Sequence, residues 1–515
     1  MTVEAIGSTL PPAVRLPPKR NNWVSSSSSE KTPRPTFDES REAEIFSELE
    51  PAKTETSDPA VVAELLSSKI GASKVSLRAE DIDIHATDKW YASHPPDLVV
   101  FPETTEDVST VLEFAHRYGI PVTTRGAGVG YVGGCVPIKG GIALSLARMN
   151  RILELNPEDG VAIVQPGVIT GDLQKAAQAL GWDYPPDPAS LKECSIGGNI
   201  ATNAGGPRCL KYGVTRSYVL GLEVVMPDGK VAQVGGRVHK NKTGFDLVGL
   251  FTGSEGMLGV VTAASLRLIP KPPARAMLAA VFPDFPMAAA AVQGILNSGH
   301  LPSALEITDG FTLAAARRRL GPERLPDGDA HLIVEIDGRP RAVDYEIDEL
   351  EELLKKLGAT RIQRAEDEDS CEEIWKMRRE FSYSLRDTGL TKLNEDIVVP
   401  RSKLVELVAF ARQLEKDTGI AVACFGHAGD GNIHTNLMVA DYENPEIRSK
   451  ADAALDRLFK WVLDHGGAIT GEHGVGIAKQ PWIRQALGEN TFNLHKAIKG
   501  ALDPDAILNP GKFLD

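Results

Sequence analysis

Ser195-Ile196-Gly197-Gly198-Asn199-Ile200-Ala201-Thr202-Asn203-Ala204-Gly205-Gly206 is the stretch on which the fold turns. Its four glycines sit among small polar residues and two asparagines, so it offers little apolar surface to a core. It suits close backbone contact along an extended, polar ligand, because a residue without Cβ lets main-chain N–H groups approach unobstructed. Upstream, Arg125-Gly126-Ala127-Gly128-Val129-Gly130-Tyr131-Val132-Gly133-Gly134 supplies a second glycine loop. Successive N–H groups in such a loop form a concavity suited to pyrophosphate. Read alone as GxGxxG, this loop is equally a structural turn, and a Rossmann reading fits poorly because no helix opens after it. Downstream, Phe251-Thr252-Gly253-Ser254-Glu255-Gly256-Met257-Leu258-Gly259-Val260 repeats the chemistry ahead of a strand. Together the three stretches favour a cofactor cleft.

Around them the pattern is α+β. Val61, Val62, Leu65, Leu66 and Ile70 recur at helical spacing, predicting a helix over residues 58–70. Strands are expected at 98–101, 120–124, 142–144, 161–164, 222–225 and 260–268, with a helix over 105–118 that Asp107 helps to start. Pro270, Pro272 and Pro273 mark a boundary. Beyond it, 277–282, 285–298, 331–336 and 342–357 alternate strand and helix, which predicts a sheet covered by helices on one face. Helices over 404–418 and 446–465 follow. Residues 1 to about 40 are rich in Ser, Pro and charge, and predict a disordered tail spanning 1–45.

At 515 residues the chain exceeds a single hydrophobic core. Its 42% hydrophobic and 24% charged residues are those of a globular protein, and a net charge of −14 argues against nucleic acid as a partner. Five scattered cysteines form no CxxC pair, so buried free thiols in a reducing compartment are expected. No run is apolar enough for a membrane span and no h-region opens the chain, which points to the cytoplasm, with peripheral attachment to the inner membrane left open.

Near the C-terminus, Cys424-Phe425-Gly426-His427-Ala428-Gly429-Asp430-Gly431-Asn432-Ile433-His434 sets two histidines seven apart, and Gly471-Glu472-His473-Gly474 adds a carboxylate beside a third. Neutral imidazole and carboxylate bind divalent zinc, manganese or iron, and three protein ligands leave positions open for a substrate. Either motif alone is more often a set of hydrogen-bonded loop histidines; the two together favour a metal. Adjacent Glu472 and His473 in an extended segment should diverge, so that one ligates while the other faces substrate.

The order RGxGxGxxGG, SIGGNIATNAGG, LKYGVTR, VVMPDG, FTGSEGMLGVVT, HAGDGNIH and GEHGVG resembles the vanillyl-alcohol oxidase and para-cresol methylhydroxylase superfamily over most of residues 90–515. The likeness is nearest its D-lactate dehydrogenase, glycolate oxidase and D-2-hydroxyglutarate dehydrogenase branch. It implies an FAD-binding domain over 46–272, and an α+β substrate (cap) domain over 273–515 whose C-terminal segment returns to the flavin. It implies that backbone at Arg125, Gly126, Ala127, Gly128, Val129, Gly130 and Gly134 holds the pyrophosphate. Pro188, Ser195, Gly198, Asn199, Thr202 and Gly205 would line the flavin, with Glu255 and Val260 at the adenosine or ring edge and Asn509 approaching the flavin. Val129 stands where such proteins usually carry a hydroxyl. Relatives with covalent flavin carry a histidine in the first loop; this loop has none, so FAD is expected to be non-covalent.

The same resemblance implies His427, His434 and Glu472 as metal ligands, with zinc first among the candidates, and His473 as general base. It selects Arg378 and Lys392 as partners of a substrate carboxylate, where charge alone would read as solvated helix surface, and adds Ser382 and Asn436 as substrate contacts. The implied activity is oxidation of a small D-2-hydroxy acid to the 2-oxo acid. An electron-acceptor protein or quinone would take the electrons, and a homodimer or an iron–sulfur partner subunit is compatible. A non-catalytic FAD subunit of a glycolate oxidase complex and a non-redox ether-lipid synthase are the alternatives; the complete HAGDGNIH and GEHG pair favours the dehydrogenase.

Overall fold

Helix Thr105–Tyr118 shows how local sequence sets up the first half of the chain. Thr104 and Asp107 close a capping box at its start, and Gly119 ends it at φ 65°. Its buried stripe, Val108, Val111, Leu112 and Ala115, shares a core with Leu98, Val100, Val122 and Ile142. Those residues belong to a four-stranded sheet of order β1-β2-β4-β3, formed by β1 (Val75–Ser76), β2 (Leu98–Val100), β3 (Val122–Arg125) and β4 (Ile142–Ser145). The computed structural model describes residues 58–321, 324–325 and 327–514; the expected disordered tail over 1–45 lies outside them.

A second, antiparallel sheet of order β5-β6-β10-β8-β9 contains β5 (Ile152–Asn156), β6 (Val161–Val164), β8 (Val219–Val225), β9 (Val231–Gly235) and β10 (Val260–Arg267). Beside it, β7 (Trp182–Asp183) pairs with β11 (Ile269–Pro270). The stretch Ser195–Gly206 is not extended: residues Ile196–Thr202 form a short helix whose N-cap is Ser195, with Oγ accepting from the Gly198 amide.

The third sheet has seven strands in the order β15-β12-β14-β13-β17-β18-β16. They are β12 (Ala274–Phe282), β13 (Ala304–Asp309), β14 (Ala330–Gly338), β15 (Arg361–Ala365), β16 (Thr391–Val398), β17 (Ala421–His427) and β18 (Asn432–Val439). Helices cover both of its faces, which corrects the one-face expectation. Leu278, Ala280 and Phe282 pack with helices Phe285–Asn297, Pro340–Lys356, Leu404–Thr418 and Pro445–Asp464. Met277 and Ala279, pointing the other way, pack with Ile374 and Trp375 of helix Glu368–Arg386.

The end of the chain returns to the first sheet, where the Val122 amide donates to Ile507 O and the Asn509 amide to Val122 O, both at 2.7 Å. All five cysteines are unpaired. Among the described residues no helix is long and apolar enough to cross a membrane.

Candidate active site

The first two glycine stretches meet face to face. A Cβ on Gly126 would lie 2.6 Å from Ser195 Oγ and 3.3 Å from the Gly198 amide nitrogen, so only glycine allows this approach. Gly128 has φ +69°, and the Arg125 side chain folds under it to donate from Nη1 to Thr87 O at 2.6 Å. Arg125 thus braces the loop, leaving Gly126, Ala127, Val129, Gly130 and Gly134 to offer backbone. A cleft of about 390 Å³ opens here, lined by Gly126, Ala127, Gly167, Val168, Ile169 and Ser195. Gly167 to Ile169 were not anticipated; the only sequence signal is the Pro166-Gly167 pair.

Asn199, buried in the helix that Ser195 caps, donates from Nδ2 to Thr170 Oγ1, and Thr202 donates to Gly198 O. Pro188 is buried in the segment leading to that helix. Asn509 joins two loops, donating from Nδ2 to Gly134 O at 3.0 Å and Glu255 O at 2.7 Å, while its Oδ1 has no hydrogen-bond partner. Both carboxylate oxygens of Glu255 accept amides, from Val475 and Gly476, each at 2.8 Å. Its side chain anchors the GEHGVG segment. Val260 turns its side chain into the core that surrounds helix Thr105–Tyr118.

That anchoring brings the C-terminal motifs to the cleft. A Cβ on Gly205 would stand 3.3 Å from Glu472 Cβ and Oε2, and the Tyr131 ring lies 5.5 Å from that of His473. His427 ends β17 and His434 sits on the neighbouring β18, so the strand pair sets their spacing. Nε2 of each lies 3.5 Å from Glu472 Oε1, and one ligand atom from each of the three residues falls within 4.8 Å of the others. His427 Nε2 and Glu472 Oε2 are buried without a hydrogen-bond partner.

The remaining nitrogens face carboxylates. His427 Nδ1 is 2.6 Å from Glu306 Oε1, and His434 Nδ1 lies 4.0 Å from Asp396 Oδ1. Burial alone would lower His427, but the Glu306 and Glu472 carboxylates outweigh it and raise it well above the usual imidazole range. Burial pushes His434 down, toward the neutral form that ligates metal. Burial would raise Glu306, yet His427 and Arg378 hold it at about 2.

Glu472 and His473 do not diverge as expected of an extended segment. They lie in a bend, and His473 Nε2 is 3.8 Å from Glu472 Oε1. The His434 and His473 rings stack at 5.5 Å.

The expected carboxylate partners occupy one wall. Arg378 and Ser382 lie one turn apart on helix Glu368–Arg386. Arg378 is buried and donates from Nε to Glu306 Oε2 at 2.7 Å, so the guanidinium is already tied to the carboxylate behind His427. Lys392 lies on β16 and donates to Ser382 Oγ at 2.8 Å. Burial, then the charge of Arg386, pushes the Lys392 ammonium down to about 7. Asn436 donates to Ala423 O and His434 O, leaving its buried Oδ1 without a partner. Asn394, opposite Asn436 in register, has an unpartnered Oδ1 as well and was missed in the sequence.

These features fit two groups. Gly126 and Gly205, where a Cβ would intrude on the facing wall, together with the unpartnered Asn509 Oδ1, fit a flavin dinucleotide. The partnerless His427 Nε2 and Glu472 Oε2, with carboxylates behind the histidines, fit a divalent cation.

The glycine cleft is that of an FAD-binding protein, and the family comparisons place the chain among FAD-linked oxidoreductases. Residues 96–235 match the family described as FAD binding domain, and residues 271–513 match FAD linked oxidases, C-terminal domain. The chain belongs to the FAD-linked oxidase family. It is 39% identical to the glycolate oxidase subunit GlcD of Bacillus subtilis over 81% of this chain and 89% of the relative. It is 34% identical to a D-lactate dehydrogenase of Anaerostipes hadrus over 82% and 90% of the respective chains. The crystal structure of p-cresol methylhydroxylase with substrate bound shares the fold, with a TM-score of 0.70 at 22% identity over 90% of this chain and 98% of that one.

Proposed function

We propose that this protein oxidises a small D-2-hydroxy acid, of the D-lactate, glycolate or D-2-hydroxyglutarate type, to the 2-oxo acid. The observation that carries the reading is the placement of the His427–His434–Glu472 cluster and His473 against Gly205 and Tyr131, residues of the two glycine stretches. The GlcD and D-lactate dehydrogenase relatives support the substrate class.

When bound, FAD supplies a two-electron acceptor in the cleft, and a divalent cation (zinc, manganese or iron) supplies Lewis acidity toward the substrate hydroxyl. His427, His434 and Glu472 would hold the cation. Arg378 and Lys392 bind the substrate carboxylate, with Ser382 orienting Lys392. Asn436, and beside it Asn394, offer free amide oxygens to the substrate. His473 takes the hydroxyl proton at Nε2, acting as general base. Gly126 to Gly130, Gly134, Ser195, Gly198 and Asn509 hold the dinucleotide. In this reading residues 46–272 form the domain that carries the cofactor cleft, and residues 273–515 the one that carries the cation ligands. That the Bacillus subtilis relative is a subunit supports a protein partner as electron acceptor, and unpaired thiols support a reducing, cytoplasmic setting.

Anaerobic mixing with a panel of D- and L-2-hydroxy acids tests the reading through bleaching of the bound flavin. Bleaching by at least one D-acid and by none of the L-enantiomers is expected; a flavin that no 2-hydroxy acid reduces refutes it.

A further inference from the structure

Asp396 is buried on β16, with 0% of its surface exposed, and the roles proposed above leave it without one. Its Oδ2 accepts the consecutive amides of Gly471, Glu472 and His473 at 2.9, 2.8 and 2.9 Å, and the Thr470 hydroxyl at 3.0 Å. Its Oδ1 accepts from Asn432 Nδ2 at 2.7 Å and faces His434 Nδ1 at 4.0 Å, the two residues standing opposite one another in the β16–β18 register. The segment leading into the bend is held too: the buried Lys479 ammonium donates to Ile469 O at 2.8 Å.

Three consecutive N–H groups converging on one oxygen form an anion nest whose anion is part of the protein. A residue whose amide points into such a nest has its φ and ψ restricted, and with them the direction of its Cα–Cβ bond. Here the restricted residues are Glu472 and His473. The same carboxylate faces the third participant, His434, from the neighbouring strand. A structural anchor would need only one or two of these bonds. Convergence of all three amides on one atom fixes two adjacent side chains toward a common point, which explains why their terminal atoms approach to 3.8 Å instead of diverging.

We infer that Asp396 is the positioning residue of this site: it sets the cation ligand Glu472 and the base His473 in register with His434 without touching substrate. The inference rests on the metal-assisted reading above. Asparagine at this position has one accepting oxygen, so D396N must leave either the amide nest or Asn432 unmatched.

The test titrates the full-length, FAD-loaded protein, stripped of metal by a chelator, with Zn2+ alone. D396N is expected to keep its FAD and to bind Zn2+ about 10- to 100-fold more weakly. A double-mutant cycle separates positioning from general destabilisation. Since Asp396 acts through Glu472, D396N combined with Glu472→Gln should bind Zn2+ within about twofold of Glu472→Gln alone. Losses that multiply overturn the inference, and so does parent-like zinc binding in D396N. If D396N fails to retain FAD, Thr470→Val decides: it removes one of the four donors to Oδ2, so zinc binding several-fold weaker supports the inference and unchanged binding overturns it. A parent protein that takes up none of Zn2+, Mn2+ and Fe2+ overturns the metal-assisted reading along with this one, whereas unchanged affinity in the variants overturns this one alone.

Discussion

Glu306 holds His427 Nδ1 with one carboxylate oxygen at 2.6 Å and the Arg378 guanidinium with the other, at 2.7 Å from Nε. One buried acid therefore couples a proposed cation ligand to a proposed substrate anchor. Glu306→Gln keeps the shape but replaces one acceptor with an N–H2, so either His427 or Arg378 loses its partner. Zinc affinity should fall about 10- to 100-fold, as for other partners behind a ligating histidine, and KM should rise with it. Chelator-competition titration and steady-state kinetics check both; a variant in which neither moves would break the coupling.

Lys392 makes the binding of an anionic substrate sensitive to pH near neutrality. Burial and Arg386 lower its ammonium to about 7, so it is charged below that value and neutral above it. A 2-hydroxy carboxylate stays ionised across this range, because carboxyl groups titrate near pH 4. The kcat/KM should therefore decline as pH rises through about 7. In Lys392→Met the decline above about pH 7 should vanish and kcat/KM should be lower throughout; a decline that survives the substitution would assign it to another group.

The glycine stretches could be read because much of their chemistry is local: Ser195 caps its own helix, and Gly128 makes room for Arg125 of its own loop. Other parts of the site depend on pairing that only the folded sheet creates. Glu306 reaches His427 through the β13–β17 register, and Asp396 faces His434 through β16–β18. In sequence Glu306 is an acid between Leu305 and Ile307, and Asp396 follows another acid, Glu395, so each reads as an outward-facing strand position. The one-face expectation for the third sheet failed for a similar reason. Helix Glu368–Arg386 is dense in charge, yet Ile374, Trp375 and Phe381 bury its narrow apolar side. The Glu255 carboxylate likewise takes up the amides of Val475 and Gly476, contributed from more than two hundred positions away.

No histidine occurs between Arg125 and Gly134. The flavin should therefore be held without a covalent bond from this loop. Precipitating the holoprotein in acid should release the yellow chromophore to the supernatant, and the pellet should show no flavin fluorescence. Fluorescence that stays with the polypeptide would require another attachment residue.

His331 should make the protein sensitive to acid for reasons unconnected with the reaction. It lies on β14, 3% exposed, with its Nδ1 lacking a hydrogen-bond partner. Burial, helped by the charge of Arg317, pushes its imidazole down to about 4. The unfolded chain takes up this proton near pH 6.5, whereas the folded chain resists until about pH 4. Between those values the unfolded state binds more protons, so stability declines as pH falls, by at most about 3 kcal/mol over the whole window. The contribution is complete above pH 6.5 and exhausted below about pH 4. His331→Leu removes the titrating group and leaves no carboxylate orphaned, so its unfolding midpoint should drop less than the parent's between pH 7 and pH 4.5. Denaturant melts at the two pH values measure that difference, and equal acid sensitivity in the two proteins would show that His331 is not responsible.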